Sequence, residues 1–112
     1  MADDLVHIES DADTVIVRPQ GDVDMSRSPQ LRQALRDAMA TKPRSLIVDL
    51  GEVGYMDSSG LATLVEAMRT AKRAGTRMTL CAMNDKVRAI FEIARLDQFF
   101  TIRDGVDDAR RV

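Results

Sequence analysis

The chain has 112 residues, 45% of them hydrophobic and 30% charged, with a net charge of −2; this is the size of one domain that buries a core without metal or disulfide help. An acidic balance with one Tyr, three Phe and no Trp supplies neither the basic patch nor the stacking aromatics that nucleic acid requires, so no nucleic-acid partner is expected. Cys81 is the lone cysteine, which excludes an intrachain disulfide and fits a reducing compartment.

No apolar run approaches the roughly 20 residues of a membrane-spanning helix, so no membrane insertion is expected. The opening Met1-Ala2-Asp3-Asp4 is acidic, whereas a signal peptide opens on positive charge. The expected location is the cytoplasm.

In chain order, Leu5 to Glu9 reads as a short edge strand, and Asp11-Ala12-Asp13 as a turn. Thr14 to Pro19 is the second strand, antiparallel to the first, with irregular pairing expected at Pro19 because it lacks an N–H. Ser28-Pro29 opens a helix, Ser28 as cap and Pro29 at the first helical position. Leu31, Ala34, Leu35, Ala38 and Met39 then recur at helical spacing. Ser45 to Leu50 is a buried-strand run. A second helix follows with Leu61, Leu64, Val65 and Met68 inward, a basic last turn and Gly75 as its C-cap. Arg77 to Ala82 is a strand, and Asn84 caps a third helix carrying Val87, Ile90, Phe91 and Ala94 inward. Phe99 to Ile102 is a last short strand, and Asp104 starts a brief terminal helix that frays through Arg110 and Arg111. This order predicts a single α/β domain over 1–112, with a core at about 5–103 and a tail at 104–112. Its small mixed sheet has an antiparallel first strand, is otherwise mainly parallel, and is covered by helices.

Ligands and partners of such a sheet meet the loops after the carboxyl ends of its parallel strands. Those loops place Asp22, Asp24, Asp57 and Asp85 on one rim with Ser58, Ser59 and Gly60, and with the large apolar groups Met25, Tyr55 and Met56. An acidic surface with a few adaptable hydrophobes suits docking to another protein; Met56 either joins that surface or completes the core. The first-turn N–H groups of a helix favour an oxygen or an anion, so the serines at 58 and 59 either cap the helix or accept a phosphate there.

An enzyme is not expected. The single histidine, His7, lies on the first strand, far from a base-and-serine arrangement, and no Gly-x-Ser-x-Gly elbow is present. Asp22, Asp24 and Asp57 are donors of the kind Mg²⁺ takes, but that ion is usually shared with substrate phosphates, and no phosphate-cradling Gly-x-x-x-x-Gly-Lys loop accompanies them. No metal and no cofactor are expected.

Four pieces of the chain resemble the STAS family, in particular the stand-alone bacterial anti-sigma factor antagonists. They are Gly21-Asp22-Val23-Asp24, Leu46 to Leu50, Tyr55-Met56-Asp57-Ser58-Ser59-Gly60-Leu61, and Ala89 to Leu96. The resemblance spans about Val6 to Ile102. It implies a STAS-like fold and a partner switch. The unphosphorylated protein binds an anti-sigma factor that is also a serine kinase, and is released when that kinase phosphorylates the first serine of the motif, which aligns with Ser58 (Ser59 being the lesser candidate). A metal-dependent serine phosphatase reverses the step. The chain departs from the family in Gly60-Leu61-Ala62, where Gly-Leu-Gly is common, and in Asp22, where Glu is frequent. Two alternatives remain at this level. One is a structural STAS scaffold or accessory subunit of a lipid-transport ABC complex or a stress-sensing assembly; the other is nucleotide or small-anion binding by the rim itself.

Overall fold

The structure is a computed structural model and describes residues 6–111. Five strands form one sheet in the order β1-β2-β3-β4-β5: β1 (Val6–Asp11), β2 (Thr14–Pro19), β3 (Ser45–Asp49), β4 (Arg77–Cys81) and β5 (Thr101–Arg103). The hairpin register runs from Val6 opposite Pro19 to Asp11 opposite Thr14, and the later strands are parallel. The mixed α/β architecture expected from the sequence is therefore the one observed. Leu5 lies outside the described residues.

Helices α1 (Ser28–Ala40), α2 (Ser58–Ala74) and α3 (Asp85–Ile93) pack on one face of the sheet. Strand order never reverses, so each crossover moves the same way, and crossovers of one hand land on one side. There Leu31 and Leu35 of α1, Leu64 and Met68 of α2, and Val87 and Phe91 of α3 meet Val15, Val17, Leu46, Val48 and Leu80. Glu66 of α2 ties α1 alongside by accepting from Arg32 and Arg36, both at 2.9 Å.

The opposite face carries the alternate residues Ile16, Ile47 and Cys81, covered by Ala109 and Val106 of the short helix α4 (Val106–Arg110). The parallel strands are thus buried on both sides, which is why they read as continuous apolar runs. Residues beyond 103 are more than a tail: Ala109 is buried, and Arg110 bonds Asp11 across the sheet edge at 3.2 Å.

Three expectations need correction. Ser28 is the first helical residue of α1, is buried and caps nothing; Arg27 holds the N-cap position without a side-chain bond. The turn before it takes over that role, because the Asp24 carbonyl accepts from the N–H groups of Arg27 and Ser28. Ala94 is exposed and lies just past α3; the chain turns away at Arg95, whose φ is 61°. The final strand begins at Thr101, with Phe99 and Phe100 before it, edge to face 5.1 Å apart.

Candidate functional site

The β2–β3 ladder stops at Val17 opposite Val48, two residues before Pro19. It resumes between the loops that follow. Gly21 turns the chain at φ 83° and donates to the Glu52 carbonyl at 2.9 Å. Val23 donates to Tyr55 at 2.9 Å, Asp57 donates to Val23 at 3.1 Å, and Val23 and Met56 form a parallel bridge. Both side chains of that bridge are buried, so the core itself fixes the register of the two loops. The third loop joins through Asn84, whose amide donates to the Val53 carbonyl at 3.3 Å while its oxygen accepts from Val87 at 2.7 Å to cap α3.

One residue past the bridge on each side stands an aspartate, and both build the same turn. Asp57 Oδ1 accepts from the Ser59 N–H at 2.8 Å, the Ser59 hydroxyl at 2.6 Å and the Gly60 N–H at 3.4 Å. Asp24 Oδ1 accepts from the Ser26 N–H at 2.9 Å, the Ser26 hydroxyl at 2.7 Å and the Arg27 N–H at 3.2 Å. These bonds reward the ionised carboxylate. The Ser59 hydroxyl foremost holds the Asp57 carboxyl below its usual range, and nearby Asp24 opposes that shift. Asp24 is lowered in the same manner, chiefly by the Ser26 hydroxyl.

The residue in the middle of each turn projects outward. In the α2 turn it is Ser58, exposed at the first helical position with its hydroxyl outside the cap; in the other it is Met25, 76% exposed. Tyr55 is 45% exposed beside them, and Asp22, Asp24 and Asp85 are also exposed. Ser59 is half-buried, and its carbonyl accepts from Thr63 at 2.8 Å. Two residues of the rim sequence lie beneath its surface, and of the two places open to Met56 the structure takes the core. Met56 is buried in the core. Gly60 is buried against it: a Cβ there would sit 2.5 Å from Met56 Cγ and 3.0 Å from Val23 Cγ1. That glycine is what lets α2 start so close to the bridge.

Among the described residues no group of three or more His, Cys, Asp or Glu side chains is placed to hold a metal ion. His7 is exposed on β1, opposite Arg18 on β2. No helix among the described residues is long and apolar enough to cross a membrane. Sequence reasoning missed Ser26 as part of the rim. The signal for Ser26 was present, since Asp24-Met25-Ser26 and Asp57-Ser58-Ser59 share one Asp-x-Ser pattern.

A sheet of this order with a capped serine at the second crossover defines a class, and comparison with known proteins identifies it. The STAS domain model matches residues 6–109, and the chain belongs to the STAS domain family. It is 29% identical over 96 residues to the anti-sigma-B factor antagonist of Listeria monocytogenes, covering 86% of this chain and 84% of that one. An anti-sigma factor antagonist from Mycobacterium paratuberculosis superposes with a TM-score of 0.87 at 25% identity, over 95% of this chain and 90% of that one. The Bacillus cell fate determinant SpoIIAA in its phosphorylated form shares the fold, with a TM-score of 0.73 at 21% identity over 95% and 96% of the two chains.

Proposed function

We propose that this protein is an anti-sigma factor antagonist whose binding is switched by phosphorylation of Ser58. Asp57 ties up the Ser59 hydroxyl and leaves the Ser58 hydroxyl exposed and outside the cap, and this observation carries the reading. The names of its relatives support the partner class. In the unmodified state the rim of Met25, Tyr55, Asp22, Asp24, Asp57 and Asp85 docks an anti-sigma factor that doubles as a serine kinase. The Ser58 oxygen then attacks the γ-phosphorus of the kinase's ATP. An O–P bond forms, the bond to the β-phosphate oxygen breaks, ADP leaves with the electron pair, and the hydroxyl proton passes to a base of the kinase. A metal-dependent serine phosphatase restores the hydroxyl.

Phosphoserine adds about −1.5 to −2 charge. At the head of α2 the fold tolerates it, because first-turn N–H groups and the helix dipole favour an anion. The partner does not, since the dianion joins the carboxylates of Asp24 and Asp57 on a face that must be desolvated on docking. A cost of about 3 kcal/mol suffices for a hundredfold loss of affinity. The test is to incubate the protein with ATP and an anti-sigma-type serine kinase, map the phosphate by mass spectrometry, and measure binding of Ser58→Asp. Phosphate on Ser58 with lost binding supports the switch. Phosphate found elsewhere, or full-strength binding by Ser58→Asp, overturns it.

A further inference from the structure

Resting on the reading above, we infer that Met25 is the specificity anchor of the rim: it inserts into an apolar pocket, bordered by Arg or Lys, on the kinase that modifies Ser58.

Position comes first. Val23 and Met56 are bridged in parallel, so Asp24 is the counterpart of Asp57, Met25 of Ser58, and Ser26 of Ser59. Each aspartate takes the N–H and hydroxyl of the serine two residues on, which leaves the middle side chain of each turn directed away from the bonds that hold the turn. Both residues stand two positions past the bridged pair and both are exposed, so a partner surface placed over Ser58 is also placed to reach Met25.

Chemistry comes second. The fold makes no use of Met25: it is 76% exposed, while its neighbours Val23 and Met56 are buried. A flexible thioether chain beside a half-exposed Tyr55 is a composition enriched at protein interfaces and depleted elsewhere on surfaces. The surrounding charge selects the partner. Asp22, Asp24, Glu52 and Asp57 line these two loops with Arg27 as their basic side chain, and the Arg27 guanidinium is turned onto the Gln20 carbonyl. An apolar pocket ringed by basic groups complements that pattern, and an acidic one is repelled.

The experiment uses the full chain, the anti-sigma-type serine kinase that modifies Ser58 and ATP, and compares wild type with Met25→Ala, Met25→Leu and Met25→Glu. Met25→Ala is expected to raise the KM for phosphate transfer and the Kd for the kinase by about tenfold with kcat nearly unchanged, as for loss of an interface anchor that binds ground and transition states alike. Met25→Leu restores most of the loss, and Met25→Glu deepens it. Thermal midpoints stay at the wild-type value because the side chain is solvent-exposed. If wild type is modified on Ser58 while Met25→Ala keeps the wild-type KM and Kd, the anchor is disproved and the switch stands. If wild type neither binds the kinase nor takes phosphate, the switch fails and the anchor with it.

Discussion

The Asp57 carboxylate holds the Ser59 hydroxyl at 2.6 Å, and the neighbouring hydroxyl of Ser58 stays outside that cap. Adjacent residues of one type thereby acquire different chemistry. Ser59 is committed to starting α2, and Ser58 is available to another molecule. The selection depends on the Asp57 side chain as an acceptor, so Asp57→Ala, which removes the cap, is expected to weaken it. With a kinase present, mass spectrometry should then show phosphate shared between Ser58 and Ser59, where the proposed switch predicts that wild type carries it on Ser58 alone. The same variant should melt a few degrees lower, as loss of an N-cap implies. An unchanged site distribution would show that the kinase, rather than the cap, makes the choice.

Acid should expose the same carboxylates. The Asp57 and Asp24 carboxyls are held below their ordinary value of 3.8, each foremost by a serine hydroxyl. A group depressed in the folded state contributes stability that is present above its unfolded value and lost as pH falls through its folded value. The two caps therefore support the fold at neutral pH, and their contribution begins to fall once the pH drops to about 4, the unfolded carboxylate value, and is lost as the pH falls further through the folded values. The urea midpoint of wild type should fall as the pH drops from above to below the unfolded carboxylate value of about 4, and the double variant Asp24→Asn/Asp57→Asn should show a shallower fall. Equal slopes would mean that other carboxylates, such as Glu9 and Glu66 in their ion pairs, account for the acid response.

Gly60 tests the packing beneath the site. A methyl group there would collide with Met56 Cγ at 2.5 Å, near the middle of that side chain. Helix propensity alone would favour alanine by about 1 kcal/mol. Overpacking of a filled core costs typically about 1–3 kcal/mol, and this outweighs it. Gly60→Ala is thus expected to be net destabilising by up to about 2 kcal/mol in urea unfolding. A stabilised variant would show that Met56 repacks freely.

Most of the frame was legible in the sequence because local signals and tertiary demands agree. Val15-Ile16-Val17 and Leu46-Ile47-Val48 are buried on both faces, and a continuous apolar run says so directly. Gly75 closes α2 at φ 77°, and Asn84 caps α3, both through bonds within a few residues. What stayed hidden depends on distant partners. Nothing near Met56 or Gly60 in the chain reveals that they face Val23; an apolar side chain at the end of a strand reads alike whether it points out or in. Ser28-Pro29 has the composition of a cap, but the turn made by Asp24 carries the chain into α1 already wound, so Ser28 falls inside the helix.

Cys81 offers a check on the second face of the sheet. It is buried beside Ile16 and Ile47 and beneath Ala109 of α4, and burial, helped by the nearby Asp49 carboxylate, pushes its thiol up to about 12. The thiolate is the reactive form, so both the ionisation and the access needed for attack are denied. A disulfide reagent at pH 8 should leave the native protein unlabelled over hours and label it fully once urea unfolds the chain. Removing α4 cover by Ala109→Asp should speed native labelling, since a charged group cannot replace the methyl that closes this face without opening it. Prompt labelling of the wild type in buffer would mean that α4 lifts from the sheet far more often than its packing and the Arg110–Asp11 bond imply.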